Sequence, residues 1–128
     1  MSQLALDLIV IEKKLRTGYL DLGNCGLTEL PEELFELTHL EVLILNRNFY
    51  YDEQVELIIG SNNGGFNTLS VLPKELAQLQ NLKKLVIGLG NISDINVLSK
   101  LTALEYIDLE SNQITDINAL VKDRKSVV

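Results

Sequence analysis

The chain has 128 residues, a formal net charge of −7, 26 leucines, no tryptophan and one cysteine. A chain of this length is expected to form one domain over residues 1–128, and its negative charge argues against nucleic acid or an anionic membrane as a partner. One cysteine cannot form an internal disulfide, and the first apolar run is too short and wrongly flanked for a membrane span or a secretory signal, so we expect a cytoplasmic protein.

Residues 1–16 predict an N-terminal capping helix. Ser2 can cap its start and Gly18 can end it. Such a helix would cover one open end of a repeated core, as repeat proteins require for solubility. Large apolar residues recur at steps of four, three and four and should form one buried stripe, made by Leu4, Leu8, Ile11 and Leu15.

Four segments then repeat the pattern L-x-x-L-x-L-x-x-N/C-x-L. They open repeats at about residues 17–39, 40–81, 82–103 and 104–125. The L-x-L alternation predicts a strand with one buried face, and repeats in register predict parallel stacking. The small polar residue after each strand should bond backbone groups that the turn leaves without partners, and this position is held by Cys25, Asn48, Gly90 and Asn112.

This pattern is the leucine-rich-repeat signature, and the chain resembles that family over nearly its whole length. The resemblance implies an α/β leucine-rich-repeat solenoid, right-handed, with a parallel concave sheet and a convex return. Apolar residues at steps of three and four in 30–37 and 72–79 predict a short helix or helical turns on the convex side. Gly90 has no side chain that could form such hydrogen bonds, so this row of polar residues should be weakest at the third repeat.

The last two repeats are 22 residues apart and look like the repeat class of internalins and phosphatase-regulatory proteins. The segment through Asn48 also resembles the repeat region of bacterial Roco-type proteins, in which a GTPase module follows. No nucleotide-binding motif is present in this sequence, so that activity cannot be carried over.

The second repeat is longer than its neighbours because of an insertion at residues 49–67. Asp52 and Gly60 are suitable residues to begin and end a short helix, and residues 61–65 form a polar, glycine-containing loop. Four of the seven aromatic residues lie in this insertion. They either contact a partner, as insertions in solenoids often do, or anchor the loop to the body.

A search for catalytic or metal-binding residues favours a protein that is not an enzyme and has no cofactor. His39 is expected to be a solvated turn residue, and Cys25 a structural one, since no basic residue lies nearby in sequence to lower its pKa. No His or Cys spacing suits a metal. Asp94 and Asp116 recur at the repeat spacing and are expected to form turns through side-chain-to-backbone bonds.

Residues that alternate with the buried leucines should face the concave side and form a binding surface. An apolar centre flanked by tyrosines and charges is typical of protein contact patches. Together with the insertion, this face gives the candidate partner-binding residues Tyr19, Val42, Ile44, Arg47, Tyr50, Tyr51, Lys84, Val86, Leu89, Tyr106, Asp108 and Glu110.

The sequence therefore favours a non-catalytic module that binds another protein through the concave face and the insertion at 49–67. Two alternatives stay open: a regulatory segment of a Roco-type GTPase, and a self-associating structural unit. The second is raised by the C-terminal end, where Asp123 stands in place of an expected leucine. There a polar cap or a partly open strand is expected, and an open strand could mediate a homodimer.

Overall fold

The computed structural model describes residues 2–47, 49–52, 54, 56–88, 91–109 and 125–127. Its helix is α1 (Gln3–Leu15), and its strands are β1 (Tyr19–Asp21), β2 (Val42–Ile44), β3 (Phe49–Tyr51), β4 (Leu57–Ile59), β5 (Lys84–Val86), β6 (Tyr106–Asp108) and β7 (Lys125–Val127). Three 3₁₀ turns lie between strands, at Glu32–Glu36, Lys74–Gln78 and Asn96–Lys100.

A five-stranded parallel sheet organises the fold, with the strand order β1-β2-β5-β6-β7. The predicted stacking of repeats is confirmed by the register. Equivalent aliphatic residues stand side by side in the sheet and all point into the core: Leu20, Leu43, Leu85 and Ile107. Removal of these side chains from water is the main favourable term in holding the repeats together.

The convex return is built from 3₁₀ turns, in agreement with the predicted helical turns. Pro31 and Pro73 precede the first two turns with extended backbone, and each turn spans only five residues. Segments this short rarely sustain an α-helix, because forming its first turn is costly. Each turn buries one leucine in the core, at Leu34, Leu76 and Leu98.

Helix α1 lies against the first repeat, as predicted for a cap, but its boundaries and its buried face differ from the prediction. Ser2 caps its start by accepting a hydrogen bond from the Ala5 amide at 3.1 Å. Arg16, not Gly18, ends it, in a left-handed conformation with φ 51°. The predicted stripe is only half packed against the core, because Ile11 is 51% and Leu15 68% exposed.

The insertion contains a β-hairpin where a short helix was predicted. Strands β3 and β4 pair antiparallel, with Phe49 opposite Ile59. Aromatic and β-branched residues dominate both strands, and they favour the extended conformation over a helix. Asp52 forms the turn, because its Oδ1 accepts hydrogen bonds from the amides of Gln54 at 3.0 Å and Glu56 at 2.8 Å.

At the C-terminal end, β7 pairs in parallel with β6 and extends the sheet by one strand. The sequence predicted a polar cap or a partly open strand there, so the prediction missed this pairing. Several predicted features lie outside the described residues, namely those at Leu89, Gly90, Glu110, Asn112, Asp116 and Asp123.

Candidate partner-binding surface

The first concave row contains the side chain at the first position of each of the four repeat strands, and it is exposed to solvent at its Tyr19 end. It consists of Tyr19, Val42, Lys84 and Tyr106, which stand next to one another in the register. Tyr19 is exposed, Val42 and Lys84 are half-buried, and Tyr106 is buried. The Lys84 ammonium lies 5.3 Å from the centroid of the Tyr106 ring, a cation–π contact.

The second concave row is closed, against the prediction of an exposed apolar centre. Ile44 and Val86 have no exposed surface, and Asp108 is buried. The segment that covers this row is the insertion, which leaves the sheet after Arg47 and returns past Asp21. A Cβ added to Gly60 would lie 2.8 Å from Asp21 Oδ2, so the insertion passes close to the Asp21 side chain. The insertion thus lies on the concave side.

Residues 60–65, which we call the strap, run along the outer side of the end of β1 and of the turn that follows it. Asn62 Nδ2 donates hydrogen bonds to the carbonyl oxygens of Asp21 at 2.9 Å and Gly23 at 3.1 Å. Asn24 Nδ2 donates to the Asn62 carbonyl at 2.7 Å. An unpaired strand edge invites association with other chains, and here the chain covers that edge itself.

Backbone pairing holds the second half of the strap. The Gly64 amide donates to the Asn24 carbonyl, and the Gly26 amide donates to the Gly65 carbonyl, both at 2.8 Å. Glycine is needed here because Gly65 has a φ of +102° and a Cβ on Gly64 would lie 3.3 Å from the Cys25 backbone. The strap half of the insertion therefore serves as an anchor.

Asn67 occupies the buried polar position of the second repeat, which the sequence analysis had assigned to Asn48. Its Oδ1 accepts hydrogen bonds from the amides of Cys25 at 3.2 Å and Leu27 at 2.8 Å. Its Nδ2 donates to the carbonyls of Leu22 at 2.8 Å and Asn46 at 3.0 Å. This side chain joins the turns of the first two repeats.

With Asn67 in this position, the insertion comprises residues 48–66. Without it the second repeat has 23 residues, the same number as the first. Leu69, which is buried, is then the closing leucine of the motif. The Asn-x-Leu spacing of Asn67 and Leu69 is the sequence signal that could have located the end of the insertion.

The hairpin half of the insertion presents apolar side chains to solvent. Leu57 is 49% and Ile59 72% exposed, and both point to the same side of β4 because they are two residues apart. Phe66 is also exposed, and the Arg47 guanidinium lies 4.6 Å from the centroid of its ring. Of the other predicted contact residues in the insertion, Tyr50 and Tyr51 belong to β3.

A buried polar cluster joins α1 to the first repeat and corrects the expectation that His39 is solvated. Glu12 is buried, with 4% of the residue exposed. Its carboxylate accepts hydrogen bonds from Thr17 Oγ1 at 2.6 Å and the Gly18 amide at 2.8 Å, and contacts His39 Nε2 at 2.7 Å. A tertiary contact 27 residues apart in sequence thus decides the position of His39.

This cluster stabilises the ionised carboxylate. Burial by itself raises the pKa of Glu12, but the hydrogen bonds from Thr17, His39 and Gly18, with the charge of His39, lower it overall. The cap is therefore held by a buried carboxylate that stays charged at neutral pH.

The remaining chemistry-bearing residues in the described part have structural surroundings. Burial, and then the charge of Asp21, raise the pKa of the Cys25 thiol to about 11, which makes it a poor nucleophile. Asp94 Oδ1 accepts a hydrogen bond from the Asn96 amide at 2.9 Å, which confirms its predicted role in a turn. Within the described ranges, His, Cys, Asp and Glu form no group of three or more that could hold a metal ion.

Comparison with known proteins identifies the architecture. The family model for leucine-rich repeats in two copies matches residues 80–122. A leucine-rich-repeat protein of Leptospira interrogans is 24% identical, with a TM-score of 0.52 over 91% of this chain and 33% of that one. These matches show that the fold of this chain is a leucine-rich-repeat solenoid.

Two internalins of Listeria monocytogenes are also similar to this chain. One internalin is 27% identical, with a TM-score of 0.47 over 80% of this chain and 30% of that one. Internalin C2 is 16% identical, with a TM-score of 0.38 over 99% of this chain and 92% of that one. The chain spans about a third of the length of the first internalin and of the Leptospira protein. Among the described residues, none of the helices has the length and apolar character needed to cross a membrane.

Proposed function

We propose that this chain is a non-catalytic leucine-rich-repeat module that binds another protein. Its contact surface consists of the exposed side chains of the β3–β4 hairpin, to which we add the exposed Phe66 and Tyr19. The observation that carries the proposal is the hairpin itself, which places Leu57 and Ile59 in solvent where they contribute nothing to the core.

The composition of this surface supports the proposal. Exposed Leu and Ile side chains on the hairpin, and an exposed Phe elsewhere in the same insertion, are unfavourable in water unless a partner covers them. Aromatic residues and arginine are enriched at the energetic centres of protein interfaces, and Phe66 with Arg47 supplies both. Val42 and Lys84 are half-buried and would contribute to the rim.

The experiment compares three forms of the full chain as bait in affinity capture with quantitative mass spectrometry. The double variant L57K/I59K charges the hairpin, and V71K charges an equally exposed valine beside the convex return as a matched control; Val71 is 66% exposed. We expect proteins retained by the wild type and by V71K to fall at least about tenfold with L57K/I59K, because lysine cannot be buried unpaired at an interface centre.

Purified partners identified in this way are then titrated against the same three forms by calorimetry. Equal affinity for all three forms would contradict the assigned surface. Far-ultraviolet circular dichroism and urea unfolding confirm that each variant retains the fold.

We also infer a cytoplasmic location, from the basic residues that follow the first apolar run and the lone, buried thiol of Cys25. Fractionation of cells that express the tagged chain tests the location. Recovery of the protein from the medium or the cell envelope would overturn it.

A further inference from the structure

The cap helix carries an apolar stripe that the repeat body leaves half uncovered. Helix α1 packs on the first repeat through Ala5, Ile9 and Glu12. Each residue of an α-helix advances by about 100°, so the stripe lies about a quarter-turn away from this packed face. The stripe, which we call the α1 seam, consists of the half-buried Leu4 and Leu8 and the exposed Ile11 and Leu15.

Contacts at the two flanks of α1 show which side of the helix is open. On one flank, Lys13 forms an ion pair of 3.2 Å with Glu36 of the first 3₁₀ turn. At the seam, Leu4 touches the strap, since a Cβ on Gly64 would lie 3.0 Å from Leu4 Cδ2. Beyond the seam, away from the body, α1 presents the exposed residues Asp7 and Lys14.

We propose that the α1 seam packs against the α1 seam of a second copy of this chain, with the two helices antiparallel about a twofold axis. Steps of four, three and four are the spacing with which two helices interlock. A twofold axis between Leu8 and Ile11 sets Leu8 of one copy against Ile11 of the other, and Leu4 against Leu15.

The charges beside the α1 seam favour a second copy of the chain as the partner, and they favour the antiparallel orientation of the two helices. The flank with Ala5 and Glu12 is buried against the body, so only the flank with Asp7 and Lys14 can meet a partner. In an antiparallel pair that flank faces its own copy, which brings Asp7 of each chain near Lys14 of the other. Because Asp7 and Lys14 carry opposite charges, the flank of one copy is complementary to the same flank of the other, and the interface gains two ion pairs.

The dimer is expected to be weak. The helix has 13 residues and is about 20 Å long, so the contact falls below the area typical of stable complexes. A dissociation constant on the order of 10–100 µM follows for an interface of this class. This surface is separate from the hairpin, so the inference does not rest on the proposed function.

Sedimentation equilibrium of the full chain tests the inference over loading concentrations from about 5 µM to about 1 mM, which bracket the expected constant. D7K replaces each of the two Asp7–Lys14 pairs by a pair of lysines, and K14D replaces each by a pair of aspartates. Each single variant is expected to weaken the dimer about tenfold, given two exposed pairs converted from attraction to repulsion.

The rescue experiments are specific to the proposed geometry. The double variant D7K/K14D restores opposite charges, and so does an equimolar mixture of the two single variants through a heterodimer. Both are expected to associate within about threefold of the wild type. K13D, with the same net charge as K14D but on the other flank, and L57K/I59K on the hairpin should leave the dimer unchanged, whereas L15K should abolish it.

A chain that stays monomeric up to the highest concentration overturns the proposal. A dimer that is insensitive to D7K, K14D and L15K overturns it as well, because the contact then lies elsewhere, as at the C-terminal strand. Failure of both rescues after loss with the single variants would refute the antiparallel arrangement. All substituted side chains are exposed, and urea unfolding of each variant verifies that the fold is kept.

Discussion

Replacing Asn67 with alanine removes five hydrogen bonds, three of which connect the first two repeats. The amides of Cys25 and Leu27 lose their acceptor, and the carbonyls of Leu22, Leu45 and Asn46 lose the Asn67 amide as a donor. The Asn46 carbonyl keeps a second donor, the Asn24 amide at 3.4 Å. A buried polar group without a partner costs roughly 1–3 kcal/mol. Counting the two amides in full and letting the carbonyls relax, we expect N67A to lower the free energy of unfolding by about 3–5 kcal/mol, a large part of the total stability of a small domain.

Urea unfolding followed by circular dichroism measures this loss, which should appear as a lower midpoint with an unchanged slope. The matched control is N81A, because exposed Asn81 donates a single hydrogen bond to the Thr38 carbonyl at 2.9 Å; it should cost less than about 1 kcal/mol. The reasoning is refuted if N67A costs no more than N81A. A large loss with N48A in place of N67A would return the ladder position to the residue suggested by sequence spacing.

Two further predictions concern buried titratable groups. We expect E12Q to lower the free energy of unfolding by about 1–3 kcal/mol at pH 7, because the amide cannot accept all three contacts of the carboxylate. Since the pKa of Glu12 is lowered in the folded protein, its contribution is complete above its ordinary value of 4.5 and is lost as the pH falls through the folded value; urea titrations should therefore show wild type and E12Q converging in acid, and a constant difference would contradict this. The pKa of about 11 for the Cys25 thiol, against an ordinary 9.0, leaves about a hundredfold less thiolate. Reaction with a disulfide reagent at pH 8 should be at least that much slower in the native protein than in urea, and equal rates would show that the thiol is accessible.

The repeated core could be predicted from the sequence because its signal is local and occurs several times. Leu20, Leu43, Leu85 and Ile107 were placed in register by spacing alone, and the parallel sheet confirms them. The turn at Asp94 was predictable for the same reason, since the side chain bonds an amide only two residues away.

The insertion and the cap could not be predicted in the same way, because distant residues decide them. Asn48 has the spacing of the motif from the strand before it, and Asn67 has the spacing to the leucine after it; the hydrogen bonds of Asn67 to the Cys25 and Leu27 amides decide for Asn67. In α1 the face that packs against the first repeat is the one with Glu12 and not the strongest apolar stripe. The reason is that His39 and the turn at Gly18 provide hydrogen-bond partners for the Glu12 carboxylate. Resemblance to the Roco-type repeats stays a prediction.

The Asn67 contacts also determine the order in which the chain can complete its structure. Most repeat arrays can begin folding at any unit, since each unit touches only its neighbours. Here the amides of Cys25 and Leu27 have no protein acceptor until a residue some 40 positions later has been synthesised. During translation we therefore expect the opening segment to stay incompletely folded, with the edge of β1 uncovered, until the strap and Asn67 have left the ribosome. The first two units then fold together as one cooperative unit.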